Sequence, residues 1–323
     1  MGFRCCFTTL NCPLSAYLRS RPGPFVFALF VLCSGSPAAG QTPQKPITAA
    51  ITLGIVAETH QKEIEEHFRE FVRYMARKIS PATALEGKVV VTSTLPDLAK
   101  LLDQGTVDFY MESPYPTYVV NNVHGAGTLL LRRWKSGMAD YRSLIFTHRN
   151  SGIQRLDDLR GKLIAFEDPE SSSGYFLPKL FLQRNGLRLA EKPGLDANVG
   201  AAEVGFVFAR SQKTLVDWVL SKNTAAGAFS NDDHAALDEK TRNDILVLAQ
   251  TELLPRHLLS VRKDMPLGLV GRLEKTLLAM HEDAEGRKIL QNTDATTKFD
   301  LLPGGEAVMR RRLLDSFYSP ERK

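Results

Sequence analysis

The chain has 323 residues, 41 Lys and Arg against 36 Asp and Glu, 43% hydrophobic residues and 24% charged ones. That balance excludes a disordered, collagen-like or multi-span membrane chain, and the length is enough for two domains that each bury a core. The net charge of +5 is partly local, because residues 1–40 hold Arg4, Arg19 and Arg21 and no acid, which leaves 38 basic residues against 36 acidic ones. No dense basic stripe faces a phosphate backbone, so nucleic acid is not an expected partner.

The first element in chain order is a leader. Arginines precede the apolar run Pro24–Cys33, and Ser36-Pro37-Ala38-Ala39-Gly40 follows it. This is the pattern of a secretory signal, and the run is short for a bilayer span. Residues 1–40 are therefore read as a signal peptide cleaved after Ala38, Ala39 or Gly40, and the chain is expected in the periplasm. The cysteines Cys5, Cys6, Cys12 and Cys33 all lie in this leader. The mature chain is expected to hold no disulfide, thiolate nucleophile or cysteine metal site.

Residues 47–56 read as a buried strand. Over 61–79, Ile64, Phe68, Phe71, Val72, Met75 and Ile79 recur at helical spacing with charges between them. A strand at 88–91 follows. Then comes a helix capped by Thr94, with Pro96 near its start and Gly105 beyond its end. A strand at 107–111 runs into a helical stretch from Pro114. Further on, 144–147, 162–166, 204–208, 225–229, 245–249 and 258–261 read as strands. Residues 174–185, 212–220, 267–280, 284–291 and 306–317 read as helices. Alternating strands and helices imply α/β lobes with mainly parallel sheets. Ligands of such lobes bind at the carboxyl ends of strands or between lobes.

Four strand ends carry polar side chains. Phe166-Glu167-Asp168-Pro169-Glu170-Ser171-Ser172-Ser173-Gly174-Tyr175 places three hydroxyls where a helix begins. Free N–H groups and the positive dipole end make such a start a site for an oxyanion, and simple N-capping would need only one serine. Asp108–Tyr118 offers Ser113 and Tyr115 to a ligand, and Glu112 as an acceptor for a ligand amine or a protonated oxyanion. Thr59 either meets ligand or caps the helix after it. Asn231, in Ser230-Asn231-Asp232-Asp233, either meets ligand or forms an Asx turn.

These segments resemble the phosphate/phosphite/phosphonate-binding proteins of ABC importers. The resemblance covers about residues 47–303. It rests on Asp108–Pro114 and its tyrosines, Tyr141-Arg142-Ser143-Leu144-Ile145-Phe146, Gly152–Lys162, and above all Asp168–Tyr175. It implies a two-lobed type II periplasmic-binding-protein fold with two hinge crossings, near 133–141 and 250–258. Lobe 1 would comprise residues 45–135 and 250–323, and lobe 2 residues 136–249. It implies that Ser171, Ser172 and Ser173 hold a phosphorus oxyanion, with Tyr115 nearby. Where family members often carry Ser-Gly-Ser-His, this chain has Ala209-Arg210-Ser211-Gln212, and Ala225 stands where they carry aspartate. Phosphonate, phosphite and phosphate all stay open as ligands.

An enzyme is not expected. There is no Gly-x-Ser-x-Gly elbow, no His-Glu-x-x-His pair, no Walker loop and no Gly-x-Gly-x-x-Gly. No metal or cofactor is implied. Trp134, with Arg132, Arg133 and Lys135, reads as a hinge-side surface patch. The expected function is capture of a small anion in the interlobe cleft for an ABC permease of the inner membrane. The alternative is a periplasmic sensor of the same fold that signals to a membrane kinase.

Overall fold

The computed structural model describes residues 50–81 and 85–318. The expected signal peptide lies outside the described residues. Strand β1 (Ala50–Val56) leads into helix α1 (Gln61–Ile79). Phe68, Phe71, Val72, Met75 and Ile79 fall on one face of α1 and are buried, while the other face is charged. Each such side chain contributes roughly 1.5–3 kcal/mol on full burial, so packing holds α1 to its sheet. Strand β2 (Glu86–Thr92) runs parallel to β1. Helix α2 (Leu95–Asp103) starts where Thr94 Oγ1 accepts from the Asp97 N–H at 3.2 Å. Strand β3 (Phe109–Glu112) pairs parallel with β1, and α3 (Pro114–Tyr118) leads through a π-helical turn to β4 (Gly127–Lys135).

The two-residue strand β5 (Asp140–Tyr141) carries the chain to a second sheet. There follow β6 (Ser143–His148), β7 (Leu163–Phe166), α4 (Leu177–Arg184), β8 (Arg188–Glu191) and β9 (Glu203–Phe208). After them come α5 (Gln212–Leu220), β10 (Ala226–Ser230), α6 (Asn231–Ala236), α7 (Glu239–Asp244) and β11 (Ile245–Gln250). The return strand β12 (Leu254–Pro255) pairs with β5. The tail is β13 (His257–Arg262), α8 (Leu267–Ala279), α9 (Ala284–Asn292), β14 (Thr296–Leu301) and α10 (Gly305–Phe317).

The result is the expected two-lobed α/β architecture, with one six-stranded sheet per lobe, ordered β14-β4-β13-β3-β1-β2 and β11-β6-β10-β7-β9-β8. The β1–β2, β1–β3, β7–β9, β7–β10 and β8–β9 pairs are parallel. Antiparallel pairs complete each sheet, and in the first lobe they are three of the five, so that sheet is mixed rather than mainly parallel as expected. β13 enters between β3 and β4 antiparallel to both, because the chain comes back through the first lobe after building the second. The sequence pattern does not announce β4, β8 or β14. On β4 the surface reading is corrected. Arg133 is only 2% exposed, and its guanidinium donates to Thr296 Oγ1 at 2.7 Å and to the Thr293 carbonyl at 3.2 Å.

Apolar clusters cover both faces of each sheet. A further cluster bridges the lobes. Leu177 of α4 packs with Leu258 of β13 and with Met309, Leu313 and Phe317 of α10. Arg184 of α4 donates to the carbonyls of Asp315 and Ser316 in α10 at 3.1 and 3.2 Å. Deep in the first lobe, Arg262 Nε meets Asp108 Oδ1 at 3.0 Å, and the Thr52 N–H donates to the other Asp108 oxygen.

Candidate ligand-binding site

The serine segment lies between β7 and α4, where residues 172–176 form a π-helical turn that continues into α4. Each serine has a different task. Ser171 caps the turn: its Oγ accepts from the Gly174 N–H at 2.9 Å and donates to Glu167 Oε2 at 3.1 Å. Gly174 is required here, because a Cβ would stand 2.6 Å from Glu167 Oε2 and 2.8 Å from Ser171 Oγ. Ser172 is 2% exposed and reaches across the cleft. Its Oγ lies 2.9 Å from Ser113 Oγ and accepts from the Tyr115 N–H at 2.8 Å. Ser173 is buried, and its carbonyl accepts from Ser143 Oγ on β6 at 2.6 Å.

Tyr141 sits beneath this cradle at 1% exposure. Its hydroxyl is aimed at Ser172 and Ser173 but has no partner of full hydrogen-bond geometry among the described residues. Burial, the largest cause, pushes the phenol up to about 12, so it is a donor at neutral pH. The Arg256 guanidinium lies 4.6 Å above the Tyr141 ring and is held by Asp232 at 2.6 Å. The hydroxyls of Ser113, Ser172, Ser173 and Tyr141 thus converge at a helix start, with Arg256 behind them. Such a set of donors suits an oxyanion.

Acids line the same cleft. Burial raises Glu167 and Glu170, and for Glu170 the neighbouring charges of Asp168 and Glu58 add to it. Glu112, at the end of β3, is pushed up to about 7, first by desolvation and then by Glu170. Part of its surface stays exposed, yet protein crowds it closely enough for desolvation to dominate.

The fold brings together Glu112, Ser113, Tyr115, Ser171, Ser172 and Ser173. Tyr115 contributes its backbone N–H, while its ring stacks on Phe176 of the second lobe and meets Phe317 edge-on. Thr59 is exposed and makes no side-chain hydrogen bond among the described residues; the residue before α1 is His60, at φ 54°. Asn231 is committed to the hinge crossing, where its Oδ1 accepts from the Arg142 N–H at 2.8 Å. Ser230, not Asn231, caps α6, in a capping box with Asp233. The turn at Ala209–Gln212 places Arg210, at φ 63°, against the cradle loop, where its guanidinium lies 3.6 Å from Asp168. Sequence reasoning missed Tyr141, Ser143 and Arg256 as site residues. The first two lay in a recognisable segment; Arg256 carried no signal.

A cavity of about 640 Å³ lies elsewhere, lined by His148, Lys162, Lys222 and Thr224 at the amino ends of β7 and β10. Ligands of such sheets bind at the carboxyl ends, so the serine cradle is the better candidate. Among the described residues, no group of three or more His, Cys, Asp or Glu side chains could hold a metal ion. None of their helices is long and apolar enough to cross a membrane.

The family model of periplasmic substrate-binding proteins of phosphonate ABC transporters matches residues 53–301. The chain belongs to this family. It is 25% identical to the phosphate-import protein PhnD of Mycolicibacterium smegmatis over 174 residues, 53% of this chain and 52% of that one, so the match spans about half of that relative. Among solved structures, XAC2383 from Xanthomonas citri is similar at TM-score 0.76 when bound to chloride and 0.75 when bound to ATP. Identity is 25% in both, over 83% of this chain and 96% of that one. PhnD1 from Prochlorococcus marinus, in complex with methylphosphonate, shares the fold at TM-score 0.60 and 14% identity, over 83% of this chain and 97% of that one. The family is one of transport binding proteins rather than enzymes.

Proposed function

We propose that the protein captures a small phosphorus oxyanion between its lobes and delivers it to an ABC permease of the inner membrane. The observation that carries this reading is the Ser172 hydroxyl, which joins the lobes through Ser113 and Tyr115 while facing the Tyr141 hydroxyl, a group with no partner of full hydrogen-bond geometry among the described residues. A ligand oxygen placed there meets hydroxyl donors from both lobes, and its contacts favour the closed form. In this reading Ser172, Ser173, Ser113 and Tyr141 touch the ligand. Arg256 supplies positive charge from behind Tyr141, and Ser171 shapes the turn. Glu112 faces the same space. Thr59 and Asn231, first expected to contact ligand, stand aside.

The signal peptide at residues 1–40 would deliver the chain to the periplasm. The division into lobe 1 (45–135 and 250–323) and lobe 2 (136–249) would place the hinge at β5 and β12. The methylphosphonate complex of the Prochlorococcus marinus protein shares only the fold, whereas the Xanthomonas citri protein was solved with ATP. The ligand panel therefore runs from phosphate, phosphite and methylphosphonate to ATP, with sulfate as control. A ligand at 100 times its dissociation constant adds roughly 2.7 kcal/mol of stability, which moves the melting temperature of a protein this size by several degrees. A shift of that size with a phosphorus oxyanion and none with sulfate is expected. No shift across the panel would remove the proposal.

A further inference from the structure

Two other segments clamp Tyr141 from either side. On one side the Arg256 N–H donates to the Ala139 carbonyl at 2.7 Å, beside the β5–β12 pairing of Tyr141 with Leu254. On the other, Arg142 and Asn231 exchange two hydrogen bonds: the Arg142 N–H donates to Asn231 Oδ1 at 2.8 Å, and the Asn231 N–H to the Arg142 carbonyl at 3.0 Å. Backbone bonds thus bring residue 256 and the first turn of α6 to the same tyrosine. Side chains close the bracket. Asp232 Oδ2 accepts from Arg256 Nε at 2.6 Å, and the Arg256 guanidinium lies 4.6 Å from the centre of the Tyr141 ring. The Asp232 and Arg256 side chains are only 14% and 13% exposed, so salt screens this pair little.

Among the described residues, Asp232 is the one acid in contact with Arg256. Its neighbour Asp233 is bound into the capping box with Ser230, and Glu167 accepts from Ser171. Arg133 and Lys135 of β4 add like charge nearby, which pushes against Arg256. Asp232 is therefore what keeps the guanidinium on the ring. Its other oxygen, Oδ1, is buried with no hydrogen-bond partner among the described residues, a cost that the cap of α6 does not explain because Ser230 and Asp233 make that cap. A cation over the face of a phenol draws on its π electrons and makes the O–H a stronger donor. We propose that Asp232 is a positioning residue: it holds Arg256 on the Tyr141 ring so that the phenol donates its O–H to an oxyanion seated on Ser172 and Ser173. This rests on the oxyanion reading given above. A plain hinge brace would use the same ion pair but would not act through the Tyr141 hydroxyl, and that difference can be measured.

The test is a double-mutant cycle read by calorimetric titration of phosphate and methylphosphonate. Asp232→Ala is made in the wild-type protein and in Tyr141→Phe, which keeps the ring under the guanidinium and removes only the hydroxyl. In the wild-type background Asp232→Ala is expected to weaken binding about tenfold, and in the Tyr141→Phe background less than about twofold. An equal loss in both backgrounds overturns this inference alone, because Asp232 would then brace the hinge without acting through the phenol. Unchanged affinity of Asp232→Ala in the wild-type background also overturns it, as does unchanged affinity of Tyr141→Phe. Absence of binding of either ligand by the wild-type protein overturns the inference together with the oxyanion reading. If Asp232→Ala fails to fold, Asp232→Asn takes its place in both backgrounds: it keeps the shape, loses the charge that grips Arg256, and is held to the same pattern of loss.

Discussion

Replacing Ser172 by Ala removes a hydroxyl that holds two groups of the opposite lobe, Ser113 Oγ at 2.9 Å and the Tyr115 N–H at 2.8 Å. Each hydrogen bond contributes roughly 0.5–1.5 kcal/mol net, and a buried donor left without a partner costs about 1–3 kcal/mol. Tyr115 lies in the first turn of α3, where its N–H has no helical acceptor, so Ser172 is its acceptor. In the open form water satisfies the same N–H. The variant therefore destabilises the closed form relative to the open one by about 2–3 kcal/mol, a population shift of about 30- to 150-fold. Stacking of Tyr115 on Phe176 and the Leu177 cluster remain, so closure is weakened but not abolished. The assay is resonance energy transfer between one dye on each lobe, attached to introduced cysteines. Every native cysteine lies within the first 33 residues, so a chain prepared without residues 1–40 labels only where intended. Lower transfer efficiency without ligand is expected for Ser172→Ala. Efficiency and melting temperature both unchanged would refute the claim that Ser172 joins the lobes.

Gly174→Ala should lower the melting temperature by several degrees, since its Cβ would collide with Glu167 and Ser171 at 2.6–2.8 Å; overpacking of this kind costs about 1–3 kcal/mol. Arg262→Leu strands the Asp108 carboxylate in the first lobe's core and should cost about 3–5 kcal/mol in a denaturant titration, with Asp108→Asn costing less. Glu112→Gln without ligand has a pH signature of definite sign. A pKa raised from 4.5 to about 7 gives the wild type a stability contribution that is complete below 4.5 and lost as pH rises through 7. The Gln variant should match wild type near pH 5 and exceed it by about 1–3 kcal/mol near pH 8. Parallel pH–stability curves would count against a buried, protonating Glu112.

Local physics made much of the fold legible. The apolar stripe of α1 and the cap at Thr94 are decided within a few residues, and both occur where the pattern places them. The strand ends could be located because polar residues interrupt apolar runs there. What stayed hidden depends on distant partners. β4 carries two arginines and a tryptophan, and Arg133 is buried only because Thr296 of β14 and Thr293 at the end of α9, about 160 residues later, supply its acceptors. The three consecutive serines looked equivalent in sequence, but the turn gives one to capping, one to the opposite lobe and leaves one facing Tyr141. Arg256 joins the site because β12 and β5 pair, which no local pattern encodes. Asn231 has a distant partner too: its Oδ1 accepts from the Arg142 N–H of the neighbouring crossing.

The proposed function requires a phosphorus oxyanion to bind between the lobes on Ser172 and Ser173. Isothermal titration of phosphate, phosphite and methylphosphonate into the wild-type protein and a Ser172→Ala/Ser173→Ala double variant tests it most directly. Wild type should bind at least one of them with one ligand per chain, and the double variant should lose about 2–6 kcal/mol of that affinity, roughly 30-fold or more. Equal affinity in the two proteins, or no heat from any of the ligands, would contradict it.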